Sequence, residues 1–265
     1  MERSVDRKVR RSAKTLSRSL IGSETTGSPT KNAKSSLYEA LKRRILTLEL
    51  TPDHDLDEAE LSEEYGISRT PVRDVLRRLA GEGYVYIREN RGARVIPMNL
   101  ATLRDFFQVA PVVYEAIGRL AVQNFRPAQL AELELCQDRF RSAMKAGESE
   151  TLSLHNNRFH SIIGDMAGSV FLRPSLEKLL IDHARIGHTF FNPIDDRMRI
   201  NLLTACAHHD QFIEAIAKRD EDTMTRLVFE HWELSRRNME IYVAPKELEN
   251  EAVKRLAKPR AKRAA

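Results

Sequence analysis

Apolar residues recur every three or four positions along most of this chain, the spacing that lines one face of a helix. Leu37, Leu41, Ile45 and Leu48 open the pattern and predict an amphipathic helix starting at Ser35. Asp57, with Glu60 three residues on, has the form of a capped start for a short second helix that ends near Tyr65-Gly66. Val72, Val75, Leu76 and Leu79 form the inward stripe of a third helix. Ser68 stands at its N-cap position, Pro71 lies in its first turn, and Gly81 and Gly83 close it. Residues 84–88 and 93–96 read as two short strands around an Asn90-Arg91-Gly92 turn, after which Pro97 interrupts the chain. Beyond that the period stays helical over six segments, 102–123, 127–146, 150–167, 170–190, 195–218 and 221–242. Gly147, Gly168-Ser169, Asn192-Pro193 and Asp220 mark their boundaries.

Three short helices followed by a hairpin spell a winged helix-turn-helix over residues 35–98. Six longer helices predict an all-α antiparallel bundle over 102–243, so the fold class is mainly α with a small β-hairpin wing. Residues 1–34 lack a helical period and read as a basic disordered arm, and 244–265 as a basic C-terminal tail. At 42% hydrophobic residues, 265 positions suffice for two domains with separate cores. The two cysteines, Cys136 and Cys206, make no disulfide framework and fit a reducing compartment. With no signal-peptide core and no apolar run near the ~20 residues of a membrane span, a cytoplasmic, nucleoid-associated protein without a membrane partner is expected.

Charge changes the picture by its placement. The net charge is +5, but the first 34 residues hold nine Lys/Arg against three Asp/Glu, and the last 22 hold seven against three. Such tails suit non-specific attraction to phosphates, or are simply solvated. The bundle is mildly acidic, whereas residues 68–94 carry seven Arg and three acidic residues. Arg69 and Arg73, four apart, project from one face at the start of the third helix, the end that usually enters a major groove. Arginine bonds guanine O6 and N7 together and also grips phosphate. Ser68 and Thr70 can donate to phosphates near the helix N-terminus. Arg91 and Gly92, at the wing tip, suit close approach to a minor groove or backbone. Of Arg77 and Arg78, at least one reads as an ordinary surface residue. Double-stranded DNA is therefore the first partner, bound as an inverted-repeat operator by a homodimer.

Eight histidines are present. Asn156 and His160 lie four apart and share a helix face. His209 lies in the helix that continues through Phe212, Ile213 and Ile216, and His231 follows 22 residues later. Three imidazoles and an amide oxygen from three helices can converge inside a bundle and hold a divalent metal. Buried structural or exposed histidines would show the same spacing, and the residues alone leave both readings open.

Two sets of motifs carry a resemblance. Glu58-Ala59-Glu60-Leu61-Ser62, Tyr65 through Arg73, Leu79-Ala80-Gly81-Glu82-Gly83 and Asn90-Arg91-Gly92-Ala93 resemble the N-terminal domain of the GntR family of bacterial transcription regulators. Residues 102–243 resemble the helical FCD effector-binding domain of its FadR subgroup. Metal-binding members of that subgroup carry an Asp or Asn four residues before a His, then two His about 22 residues apart. The resemblance implies DNA contacts at Ser68, Arg69, Thr70, Arg73 and the wing glycine, and metal ligands at Asn156, His160, His209 and His231. Zinc is the first expectation for the ion, ahead of nickel, manganese or iron. An intact trio argues against the acyl-coenzyme A variant of the subgroup.

This chain departs from the family in three places. Glu49-Leu50 and Asp53 replace glycines around Pro52, so that turn is expected to differ in shape. Asn156 replaces the commoner Asp, which should weaken the metal site. Pro111 stands where an effector-binding Arg is usual, so an organic-acid effector would need another cation, with Arg119, Arg158 and Arg185 the candidates. His183 and His188 are further candidates for the cavity wall, while His155 and His208 are expected to point to other faces. Metal release is expected below about pH 6, the ordinary imidazole range. The expected function is a non-enzymatic, ligand-responsive, metal-containing transcriptional regulator. The alternatives are a hydrolase-like metalloenzyme with a DNA-binding appendage and a DNA-binding protein that ignores small molecules. No His-Glu-x-x-His motif favours the first of these.

Overall fold

The computed structural model describes residues 29–89 and 92–243. The basic arm before Pro29, the C-terminal tail and the two wing-tip residues Asn90 and Arg91 lie outside them. The first helix, α1 (Pro29–Leu46), starts six residues before the predicted Ser35 and ends two residues before Leu48. Leu37, Leu41 and Ile45 are fully buried along one face of it. Leu48 instead sits in the turn that follows, at φ +60°.

Strand β1 (Asp55–Leu56) precedes α2 (Glu58–Tyr65), whose start is capped as expected: the Asp57 carboxylate accepts from the amides of Ala59 and Glu60. Helix α3 (Arg69–Glu82) buries Val72, Val75, Leu76 and Leu79. Ser68 has the extended N-cap backbone but its side chain makes no capping bond. Gly81 lies inside the helix, and Gly83 alone ends it, in the left-handed conformation. Strands β2 (Val85–Ile87) and β3 (Ala93–Val95) form the hairpin. Periodicity missed β1. Two residues are too few to show alternation, and what orders them is antiparallel pairing with the distant β3, Asp55 opposite Arg94 and Leu56 opposite Ala93. The sheet order is β1-β3-β2.

Within this glycine-free turn one residue takes the left-handed backbone that glycine most readily adopts. Asp53 takes a left-handed φ of +64°, a conformation Asp tolerates better than most residues, and its amide donates to the carbonyl of Val95. The turn is thereby tied to β3 despite the substitution.

Six helices follow: α4 (Leu100–Asn124), α5 (Pro127–Ala146), α6 (Ser149–Ala167), α7 (Leu172–Phe190), α8 (Asp196–Lys218) and α9 (Glu221–Val243). Helix α6 packs against α4, α5 and α7, while α9 packs on α4 and α8. Among the described residues this half contains no strand. The two halves share α7. Its Ile181 and Ala184 belong to the core of the N-terminal domain, together with Leu37, Leu76 and Val95. Arg185, on the same turn, is buried and donates to the carbonyl of Ile96 at 3.0 Å. An Arg43–Glu150 ion pair adds a second tie across the seam.

Gly92 is at φ +75°, and a Cβ there would run into the carbonyl oxygen of Leu56. Gly92→Ala should therefore cost about 1–3 kcal/mol in a chemical-denaturation measurement. A variant as stable as the parent would show that the wing does not need this close approach.

Candidate functional site

The surface that carries the candidate DNA contacts is built by α3, the start of α2 and the hairpin. Arg69 and Thr70 open α3 beside Ser68, whose hydroxyl is not used for capping, and all three are exposed. Arg69, Arg73 and Arg77 line one groove of about 460 Å³ with Arg88 and Gly92. Its floor carries acid as well, since Arg73 donates to Glu58 at 2.7 Å. Of the two later arginines, Arg77 joins the groove. Arg78 instead lies 3.6 Å over the Tyr38 ring and bonds Glu82, which is structural work. Sequence reasoning missed Arg88. It lies at the end of β2, and Asp55 holds it at 2.7 Å. Arg91 lies outside the described residues.

The bundle brings His160 of α6, His209 of α8 and His231 of α9 together, with one ligand nitrogen from each within 4.8 Å of the others. All three rings are buried. His160 Nε2, His209 Nε2 and His231 Nδ1 are buried without any hydrogen-bond partner. Leaving such a group unsatisfied costs about 1–3 kcal/mol, and three in one place is the pattern expected where a cation is to be held. Asn156, one turn before His160, is 4% exposed and lines a small cavity with His183 and His231. The donor set fits a divalent, imidazole-preferring ion.

Residues that sequence reasoning did not single out set the tautomer. Gln137 of α5, fully buried, donates its amide to the Cys206 carbonyl at 3.0 Å and to Asp210 at 2.9 Å. Its oxygen must then accept, so the His209 Nδ1–H donates to it at 3.0 Å. This leaves the lone pair of His209 on Nε2, facing the other two rings, the arrangement that supporting partners of metal-binding histidines usually impose. Phe159 stacks on the same ring at 4.0 Å and fixes its plane. Gln137 has no motif. It belongs to the site only because α5 packs against α8.

His183 lies beside the trio, 4.9 Å from His160 by ring centroids, and shares a 2.6 Å hydrogen bond with the Tyr114 hydroxyl. His208, expected on another face, lies 5.7 Å from His231. His188 lines neither cavity beside the trio, and His155 serves by its backbone, its carbonyl accepting from the Cys136 thiol. The three candidate effector arginines are placed elsewhere. Arg119 is exposed between Glu115 and Glu221, and Arg158 pairs with Glu132 and Asp165 on the surface. Arg185 is committed to Asp182 and Ile96 at the domain seam. None lines the cavities beside the trio. Each sits on a suitable helix but points away from the histidines, a difference of helix rotation that charge counting does not see.

A model of bacterial regulatory proteins of the gntR family matches residues 33–95, and a model of the FCD domain matches residues 107–234. The chain carries a GntR-type helix-turn-helix domain followed by an FCD domain. This regulator is 24% identical over 208 residues to the HTH-type transcriptional repressor RspR of Escherichia coli K12, covering 78% of this chain and 89% of that protein. It is also 24% identical to the gluconate operon transcriptional repressor of Bacillus licheniformis, over 73% of this chain and 79% of that one. Among solved structures, E. coli McbR/YncC superposes with a TM-score of 0.65 at 21% identity, over 79% of this chain and 96% of that one, a likeness of fold. No described helix is long and apolar enough to cross a membrane.

Burial holds the imidazoles of the regulator uncharged. That of His209 is pushed down to about 3, and those of His160 and His231 fall well below the ordinary 6.5, each also opposed by its neighbouring rings. The unfolded chain takes up these protons near pH 6.5 and the folded one does not. Stability from the neutral trio is thus complete above pH 6.5 and lost as pH falls toward 3. The thermal midpoint of metal-free protein should fall between pH 6.5 and about 4, and less steeply in His209→Ala. In elemental analysis His209→Ala and His231→Ala should each lose metal, while Asn156→Asp should retain it better against a chelator. Full metal content in both alanine variants would place the ion elsewhere.

Proposed function

We propose that this protein is a metal-containing regulator of the FadR subgroup, whose operator binding responds to a small organic acid held at the ion. The observation that carries this reading is the set of three partnerless imidazole nitrogens turned toward one another inside the bundle. Asn156, His160, His209 and His231 would hold the ion. When bound, it supplies a fixed positive charge that orients an anionic group. Gln137 fixes the tautomer of His209, and Phe159 its plane.

The route to DNA runs through α7. His183 faces the trio, while Ile181, Ala184 and Arg185 on the adjacent turn pack into or bond the DNA-binding domain. A ligand that shifts α7 would move the recognition helix of each protomer, and in a homodimer on an inverted repeat that changes the spacing of the two readers. Ser68, Arg69, Thr70, Arg73, Arg91 and Gly92 would form the DNA surface, in a cytoplasmic protein associated with the nucleoid. The hydrolase alternative lacks support. The cavities beside the trio carry no carboxylate on their walls to act as general base, and the relatives are named as regulators.

Titration against operator DNA selected from a random pool tests the docking. Arg69→Ala and Arg73→Ala should each weaken binding by about 1–3 kcal/mol and relax preference at one position per half-site. His209→Ala should bind the same DNA as the parent does and fail to respond to effector. Unchanged affinity and base preference in both arginine variants would overturn this use of α3.

A further inference from the structure

The walls beside the histidines constrain what the regulator can sense. A cavity of about 30 Å³ opens against His160 and His231. Ile117, Ile163, Met224, Val228 and Trp232 form its body. Besides those two rings, its polar side chains are Tyr114, His183 and Ser235, and no arginine, lysine or carboxylate lines it. A cation-free apolar wall cannot host a second carboxylate, because a buried charge without a partner is expensive. One polar group can be satisfied at the histidine end, where the Tyr114–His183 pair adds hydrogen-bonding capacity.

A glycine sets how close two walls of the cavity come. A Cβ built on Gly118 of α4 would sit 3.0 Å from Met224 Cγ and 3.3 Å from Val228 Cγ2, so the missing side chain at 118 lets α9 lie close. As it stands the cavity holds one or two waters. The Met224 side chain, unbranched and with three rotatable bonds, is the part of the wall that could repack around a larger body.

We infer that the effector is a monocarboxylate with a short aliphatic or aromatic body, its carboxylate at the histidine end and its body against Ile117, Met224, Val228 and Trp232. This rests on the proposed metal-containing reading for where the carboxylate sits, but not for what the walls exclude. Polycarboxylates, which an arginine-lined site would favour, are selected against.

The experiment is calorimetric titration of the full-length, zinc-loaded protein with acetate, butyrate, hexanoate, phenylacetate, succinate and citrate, with elemental analysis of the same sample. Affinity should rise about threefold to fourfold per methylene from acetate to hexanoate. Butyrate should bind at least about tenfold more tightly than succinate, its length-matched diacid. Gly118→Ala, the smallest change beside Met224, should weaken hexanoate binding more than acetate binding in protein that retains its metal. Val228→Ala should move the preferred acid to a longer chain. Tighter binding of succinate or citrate than of butyrate, equal affinity along the alkyl series, or no binding of any acid would overturn the inference. If the sample holds no metal yet the alkyl order persists, the metal reading fails and the wall argument stands. If metal is present and the order is absent, the wall argument fails alone.

Discussion

Three uncharged imidazoles meet in an apolar interior with one nitrogen each left unbonded, and the rest of the bundle is arranged around that fact. Left empty, the arrangement is a standing cost of about 1–3 kcal/mol per nitrogen. Filled by a divalent ion, it becomes a source of folding free energy, because a chain that has lost its tertiary structure presents no such site. The network behind it shows that the orientation is built rather than incidental. Arg141 pairs with Asp210, Asp210 accepts from Gln137, and Gln137 accepts from His209. Each member removes a freedom from the next, and the last freedom removed is the choice of which His209 nitrogen carries the proton.

Helix α7 connects this interior to the DNA-binding domain without a hinge. His183 and Arg185 are two residues apart and therefore point to different faces of the helix. One bonds Tyr114 inside the bundle and the other bonds Ile96 at the end of the wing domain. Ile181 and Ala184, between and beside them, are core residues of the N-terminal domain although they lie more than 80 positions beyond its last strand. Packed elements with fixed contacts on both sides tend to move as units, so a small displacement on the histidine side would reach the other domain as a rigid shift.

Most of the architecture was legible because its signals are local. Helical periods placed all six bundle helices to within two residues, and capping chemistry placed the starts of α2 and α3. The convergence of His160, His209 and His231 was visible as well, through a resemblance that joins helices far apart in the chain. The rest required contacts between elements. Strand β1 exists only through its pairing with β3. Gln137 joins the site only through helix packing, and Arg185 reads as a plausible anion ligand until its burial against Ile96 is seen. At Asp53 the departure from the motif is visible in the sequence, but the left-handed backbone that it adopts is not. Helix α1 begins inside what composition marks as an arm, since Thr30, Asn32, Ser35 and Ser36 lower helical propensity without forbidding a helix that is anchored further on.

X-ray absorption at the zinc edge, on full-length protein loaded with one equivalent of zinc, tests the central claim most directly. The account predicts a first shell of nitrogen and oxygen at about 2.0–2.1 Å with the outer-shell scattering of three imidazoles. A shell containing sulfur at about 2.3 Å, or one without imidazole scattering, would contradict it.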